Sequence, residues 1–388
     1  MKGSCNMKKT SALALLVVAS ASAGAQSQTQ PQSSVTLFGT LDVNAGSIKN
    51  GNAGSVRYLG SSGNETSRLG LRGTEDLGGG LRAGFWLEGE LFPDTGNLKG
   101  MDWTRRSTVS LISNTLGELR LGRDYVPNYW TRFDFDPFGQ NGIGSQGNML
   151  VLNQPIQTSN QTAAFPGAVN ATPLGSGAPT YKRSSNGVAY FLPGNLGGVY
   201  GQAMVAPGEG SPGLGKYVSG RLGYQTGPVN VEASYGKTTL TNPGADDLKE
   251  VNAGASYDFG IVKVMGQFDK YSYDQSLGTS DLKDWLIGAT VPIGLGTVKL
   301  SYNKATISGA PTGVTGLGEG SAKMLALGYV YDLSKRTALY ATAARITNDA
   351  NTQFTVGGQA NGPSLLVDGQ FLTGQTSTGY EVGIRHRF

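Results

Sequence analysis

The sequence predicts an all-β protein, a membrane-spanning up-and-down antiparallel β-barrel of about 16 strands. Three observations carry that prediction. Apolar and polar residues alternate with a period of two in segments of about ten residues. Tight Gly- or Asp-rich turns alternate with longer polar stretches, as expected of a cylinder with one plain and one decorated rim. The chain ends mid-strand: Tyr380, Val382, Ile384 and Phe388 share one parity, and Glu381, Arg385 and Arg387 the other. A closed barrel pairs its last strand with its first, so a strand running to the carboxylate leaves no free edge.

The N-terminus reads as a secretory signal peptide, residues 1–25. Lys8 and Lys9 form a basic start, "SALALLVVASASA" is a short apolar run, and Ala23 and Ala25 precede a cut near Gln26. Met7 is an alternative start to Met1. Residues 26–388 then form a single barrel domain. Cleavage removes Cys5, leaving no thiol or disulfide chemistry. It also removes Lys2, Lys8 and Lys9, so 28 of the 31 bases remain against 27 acids and the net charge falls from +4 to about +1. Any preference for one sign of ion must come from where charges sit.

The strands follow in order. "SVTLFGTLDVNAG" sets Val35, Leu37, Leu41 and Val43 against Thr36, Thr40, Asp42 and Asn44. "TSRLGLRGTED" opposes Leu69 and Leu71 to Arg68, Arg72 and Thr74, and "LRAGFWLEGEL" opposes Leu81, Ala83, Phe85 and Leu87 to Arg82, Trp86, Glu88 and Glu90. "GPVNVEASYG", "IVKVMGQFDK" and "TVKLSYN" repeat the rule. Long stretches at 46–64, 92–104, 124–181, 206–215, 237–249, 270–283, 304–322 and 347–377 are expected as loops, the third being the constriction loop.

A soluble β-sandwich also alternates. Here, however, the apolar face is rich in Gly, Ala and Tyr, which lipid tolerates better than a close-packed core does. Sixty glycines, only 15% charged residues and a mean hydropathy of -0.21 suit a turn-rich β protein. Tyr125, Tyr129, Trp130, Tyr190, Tyr257, Tyr271, Tyr273, Trp285, Tyr329 and Tyr331 fall near strand ends and are expected to form interfacial girdles. Phe388 is expected at the interface on the lipid side.

"SSVTLFGTLDV", "SRLGLRGTEDLGGGLRAGFWLE", "RRSTVSLISNTLGELRLGRDYVP" and the closing "VGIRHRF" resemble the general porins of β-proteobacterial outer membranes, the neisserial type included. The resemblance implies a sixteen-stranded homotrimer in the Gram-negative outer membrane, among lipid and lipopolysaccharide, with its third loop folded into the pore. It also implies that the terminal aromatic, Phe388, is read by the barrel assembly machinery. The third loop departs from the family in its length and its richness in Asn, Gln, Gly, Ala and Pro.

A diffusion channel needs water, a constriction and charges, and no nucleophile. Parity places Arg68, Arg72, Arg82 and Arg106 in the lumen, with Arg105 at a loop junction and Arg183 opening the strand after the third loop. Ten of the fifteen arginines lie at or before Arg183, on a few neighbouring strands. Arg72 and Arg82, near the short-turn rim, are expected to pair with acids such as Glu75, Glu88 and Glu90. Arg68, Arg106 and Arg183 are expected to form the selective cluster, and related porins carry basic clusters at these motif positions. Asp134 and Asp136, beside Pro137 and Gly139, are expected on a folded-in hairpin as an acidic opposing wall, or else as turn caps.

The expected function is passive diffusion of small hydrophilic solutes with a mild anion preference. The alternatives are a phosphate- or dicarboxylate-specific pore and a surface adhesin or structural barrel. Catalytic readings fare poorly: the one histidine, His386, has lipid-side parity, and "GLGEG" (316–320) lacks the helix of a phosphate loop. Neither a cofactor, a metal nor a nucleic-acid partner is expected.

Overall fold

Alternation with a period of two becomes, in three dimensions, a wall with a wet and a greasy side. The structure is a computed structural model and describes residues 33–96, 102–150, 182–208, 216–239, 247–275, 278–309, 319–357, 366–367, 370–371 and 373–388. The expected signal peptide and residues 151–181 of the third loop lie outside these residues.

Strand β1 (Ser34–Asn50) is followed by β2 in two segments, Ser55–Ser61 and Arg68–Gly78, which pair with the upper and lower halves of β1. Seventeen strand segments thus make sixteen staves. The others are β3 (Leu81–Glu90), β4 (Arg106–Ser113), β5 (Gly117–Tyr125), β6 (Arg183–Phe191), β7 (Val199–Ala206) and β8 (Tyr217–Thr226). Then come β9 (Val229–Thr239), β10 (Asp247–Asp258), β11 (Lys263–Gln275) and β12 (Gly278–Ile293). β13 (Gly296–Ser308), β14 (Gly320–Asp332), β15 (Thr337–Asn348) and β16 (Thr376–Arg387) complete the set. Each stave is antiparallel to its neighbours, and β16 pairs with β1 from Thr40↔Arg387 to Asn50↔Ser377, closing the ring. The plain rim uses turns as short as two residues, as at Gly294–Leu295, where Gly294 takes φ 61°.

Burial is inverted relative to a soluble protein. Val35, Leu37, Ile287 and Val382 are more than half exposed on the outside, while Asp42, Asn252, Asp269 and Asn303 are fully buried inside. Outward apolar side chains facing hydrocarbon, with every backbone group paired around a closed ring, is the arrangement a bilayer demands.

The structure changes several expectations. Several stretches read as loops belong to strands: β1 continues to Asn50, β11 to Gln275, and β12 begins at Gly278, so the staves rise past the apolar band. The girdle is also smaller. Tyr190, Tyr257, Trp285, Tyr329 and Tyr331 are exposed on the outer face, but Tyr125, Tyr129 and Tyr271 are buried inside, and Trp130 packs against Tyr125 and Tyr129. Tyr271 has inward parity on β11, and Tyr129 and Trp130 lie on a helix within the loop. The side chain of Tyr273 lies outside the described residues.

Candidate functional site

The chain leaves β5 at Tyr125 and turns into the lumen. Pro127 starts helix α1 (Pro127–Asp134), where a missing N–H costs no helical hydrogen bond. A helix with successive turns, and not a hairpin, therefore forms the described part of the third loop. One face of α1 bonds to the wall of β8–β11. Asn128 Nδ2 donates to Asn252 Oδ1 at 2.5 Å, and Thr131 Oγ1 donates to Glu232 Oε1 at 2.5 Å. Arg132, fully buried, lies 3.4 Å from Glu250 and donates to the Tyr271 hydroxyl.

Beyond α1 the loop seats on glycines of the wall. A side chain on Gly254 would overlap the Phe135 ring, one on Gly288 the Pro137 ring, and one on Gly328 the Phe138 ring. Gln146 Nε2 then donates to Asp269 at 2.5 Å and Asp284 at 2.8 Å, and the Ile143 N–H donates to Glu381 Oε1 at 3.3 Å. Phe138, Ile143, Met149 and Leu150 join an apolar cluster with Leu282, Ile307 and Met324, so part of the barrel interior is dry. The loop is thus fixed against β8–β16, and the water path runs along the opposite wall.

That wall is basic. A cavity of about 570 Å³ is lined by Arg68, Arg72, Arg105 and Arg106 from that wall and by Lys299 of β13 and Arg385 and Arg387 of β16 from the other side. The acids lining it are Glu65, Glu88 and Asp136, so seven bases meet three acids.

Glu88, buried beside β4, accepts from Arg105 Nε at 2.5 Å and from Trp86 Nε1 at 3.1 Å, with Arg68 4.0 Å away. Arg105 also donates to the Tyr125 hydroxyl at 2.6 Å, and Arg183 donates to the same oxygen at 2.7 Å while its guanidinium lies 4.3 Å from the ring centroid. Arg183 is therefore buried behind Tyr125, held with Arg105 by one phenol, and does not line the cavity. Arg106 lies 3.6 Å from Asp124 and 4.4 Å from the Trp86 centroid.

The expectation that Arg72 and Arg82 pair with acids does not hold. Among the described residues neither has a carboxylate within 4.0 Å: Arg72 packs over Trp86 at 5.1 Å and Phe38 at 5.2 Å, and Arg82 donates to Asn114 Oδ1 at 3.2 Å near the turn rim. The strand's pleat presents Arg72 to the two rings and turns Glu75 onto the other face.

Of the two loop acids, Asp136 lines the cavity and Asp134 does not. Asp136 accepts the N–H groups of Phe138 at 2.9 Å, Gln140 at 3.0 Å and Gln146 at 3.1 Å, so it caps turns of the loop. Burial nevertheless pushes its carboxyl up to about 6. Asp134 lies 3.5 Å from Arg221 in a separate groove, its carboxyl pushed up to about 6 by burial and by Glu232, against the pull of Arg221. What helix α1 turns toward the basic wall is aromatic: Tyr129, Trp130 and Phe133.

Sequence reasoning missed Glu65, Lys299, Arg385 and Arg387. Glu65 lies 2.5 Å from Arg68, 2.6 Å from Arg387 and 3.8 Å from Arg385. The signal was available: closure of the ring sets "VGIRHRF" beside β1, whose other neighbour carries Arg68 and Arg72.

A sealed cylinder with a greasy exterior and a charged, loop-narrowed lumen defines a β-barrel channel of the bacterial outer membrane. The chain belongs to the Gram-negative porin family, which matches residues 12–351. Outer membrane porin protein 32 of Delftia acidovorans is 40% identical over 372 residues, covering 92% of this chain and 95% of the relative. An outer membrane porin protein of Bordetella pertussis is 29% identical over 408 residues, with the same coverage, 92% and 95%. The solved anion-selective porin from Comamonas acidovorans superposes with a TM-score of 0.75 at 37% identity, covering 92% of this chain and all of that one, 100%. OmpT of Vibrio cholerae, 13% identical with a TM-score of 0.62 and covering 93% of this chain and 99% of that one, shares the fold.

Proposed function

We propose that this porin is a mildly anion-preferring diffusion channel whose third loop sets the bore, and that it works without catalytic chemistry or a cofactor. The observation that carries the preference is the excess of seven bases over three acids around the cavity, in a chain whose total charge is nearly balanced. Two of those acids, Glu65 and Glu88, are committed to arginines, and Asp136 to loop N–H groups. Focused positive potential in a narrow, low-dielectric passage raises the local concentration of anions. The similar porin from Comamonas acidovorans is anion-selective, which supports the same reading.

The proposal includes removal of residues 1–25, assembly as a homotrimer among outer-membrane lipid and lipopolysaccharide, and recognition of Phe388 by the assembly machinery. A trimer form is named for OmpT of Vibrio cholerae, and the exposed terminal ring is accessible on the outer face. The test is the reversal potential in planar bilayers under a KCl gradient. Anion selectivity that falls in Arg68→Ala and Arg106→Ala is expected; a cation-selective wild type, or variants with unchanged selectivity, rejects the reading.

A further inference from the structure

We infer that the constriction carries a subsite for aryl carboxylates, built on Arg72; the inference rests on the anion-preferring reading above and names the class of solute that the lumen retains best. Arg68, Arg105, Arg106 and Arg387 each have a carboxylate within 4.0 Å, whereas Arg72 has none among the described residues and donates to no protein acceptor there. Its guanidinium is held by two rings that meet edge to face, Trp86 at 5.1 Å and Phe38 at 5.2 Å, with 5.0 Å between the ring centroids. Rings that restrict a guanidinium without consuming its donors leave a pre-oriented fork facing water, the geometry that binds a carboxylate through two parallel hydrogen bonds. A ring also orders the side chain without neutralising it, as an acid would.

The second half of the subsite lies across the same cavity. Trp130 and Phe133 of α1 face the basic wall, and Phe133 remains 37% exposed. Among the described residues the cavity therefore presents, beside Lys299, an unneutralised guanidinium framed by Phe38 and Trp86, with further aromatic faces opposite. Chloride, acetate or an aliphatic diacid can use only the charge. A planar arene bearing a carboxylate uses the charge and the rings together, because offset and edge-to-face contacts reward a second π face. At about 570 Å³ the space is large enough for one such molecule with water around it.

The test uses the full-length porin in planar bilayers with symmetrical KCl, adding sodium benzoate or sodium acetate and reading the concentration that halves the chloride current. Benzoate is expected to block at about tenfold lower concentration than acetate, the scale of one good aromatic pair. Arg72→Gln should abolish the difference and Phe133→Leu should reduce it. Arg72→Lys keeps the charge without the fork; it should insert, conduct and retain less than half of the preference, which separates loss of the subsite from misfolding. Equal block by the two acids overturns the inference, and so does a benzoate preference that survives Arg72→Gln. The reversal potential on the same membranes reports the underlying reading separately: an anion-preferring channel with equal block rejects the subsite alone, and a cation-preferring one rejects both.

Discussion

Gly39 and Phe388 exchange both backbone hydrogen bonds, each at 3.1 Å, and the terminal ring lies over the glycine so closely that a side chain there would overlap it. The last residue of the chain is thus a paired residue of the ring, and its phenyl group fills the notch its partner leaves on the lipid face. Closure and the terminal aromatic are one feature, since the ring can sit flat only where β1 has no side chain.

Gly39→Val is therefore expected to weaken the seam. Overpacking of this kind costs about 1–3 kcal/mol, and the backbone oxygen of Arg68 also crowds the new atoms. Removing Phe388 loses two ladder bonds as well as the ring. Heat-modifiability on denaturing gels should show lower midpoints for Gly39→Val and a smaller folded fraction for the truncated chain. A Gly39→Val barrel as heat-resistant as wild type would rule out this account of closure.

The loop depends on the same device from inside. Phe135 is fully buried on Gly254, and the overlap a side chain would create falls on the near edge of that ring, which has little room to swing away. Gly254→Leu should lift the segment around Phe135 toward the basic wall and narrow the path. Single-channel conductance should fall while the barrel still folds, with additional current noise from a loop that has lost its seat.

Much of this was legible because a barrel repeats one rule sixteen times. Val35, Leu41 and Ile384 announced the outside, and Arg68 and Arg106 the inside, since parity alone decides the face. The seat of Phe135 on Gly254 was not legible: it joins residues more than a hundred positions apart, and a glycine in a strand gives no sign of what will rest on it. Arg72 was misjudged for a related reason. Glu75 faces away and Asp76 caps the rim turn at Gly78, whereas Phe38 and Trp86, on adjacent strands, lie in reach. Helix α1 was hidden because "PNYWTRFDFD" is stabilised by the wall it binds and not by helix propensity or a side-chain cap.

The loop acids give the channel a pH dependence with a definite sign. Burial, and Glu232 after it, raise the Asp134 carboxyl to about 6, and burial raises Asp136 to a similar value. Both folded-state values lie above the ordinary carboxylate range near 4. Each group therefore supports the seated loop fully below about pH 4, and that support is lost as pH climbs through about 6. As pH falls through the same window the two acids lose their charge and the lumen becomes more positive. Reversal potentials should show a stronger anion preference at acidic than at alkaline pH, and Asp134→Asn should flatten much of the difference.

Glu65 works in the opposite direction. Burial alone would raise its carboxyl, but Arg68 and Arg387 hold it below its usual range. Its contribution is present above the ordinary carboxylate value and is lost only in stronger acid. Glu65→Gln removes the charge that joins Arg68, Arg385 and Arg387 across the closure seam. Two effects follow, a loss of about 1 kcal/mol per weakened bond and a rise in the anion-to-cation permeability ratio. A ratio that falls would show that Glu65 is not shielding these arginines.

The two faces of the wall should respond in opposite ways to the same new charge. Ile287, on β12 opposite Tyr302, is 67% exposed and points outward. Gln225, on β8, lines the wet groove with Arg221 and Lys263. A lysine at Ile287 enters hydrocarbon and costs about 2–4 kcal/mol if it lies near the midplane; the same residue at Gln225 stays in water and costs little. Ile287→Lys should lower the yield of folded protein in lipid vesicles, whereas Gln225→Lys should fold normally and shift the reversal potential toward anions. If both variants fold equally well, the outward residues are not in contact with lipid, and the assignment of inside and outside fails with them.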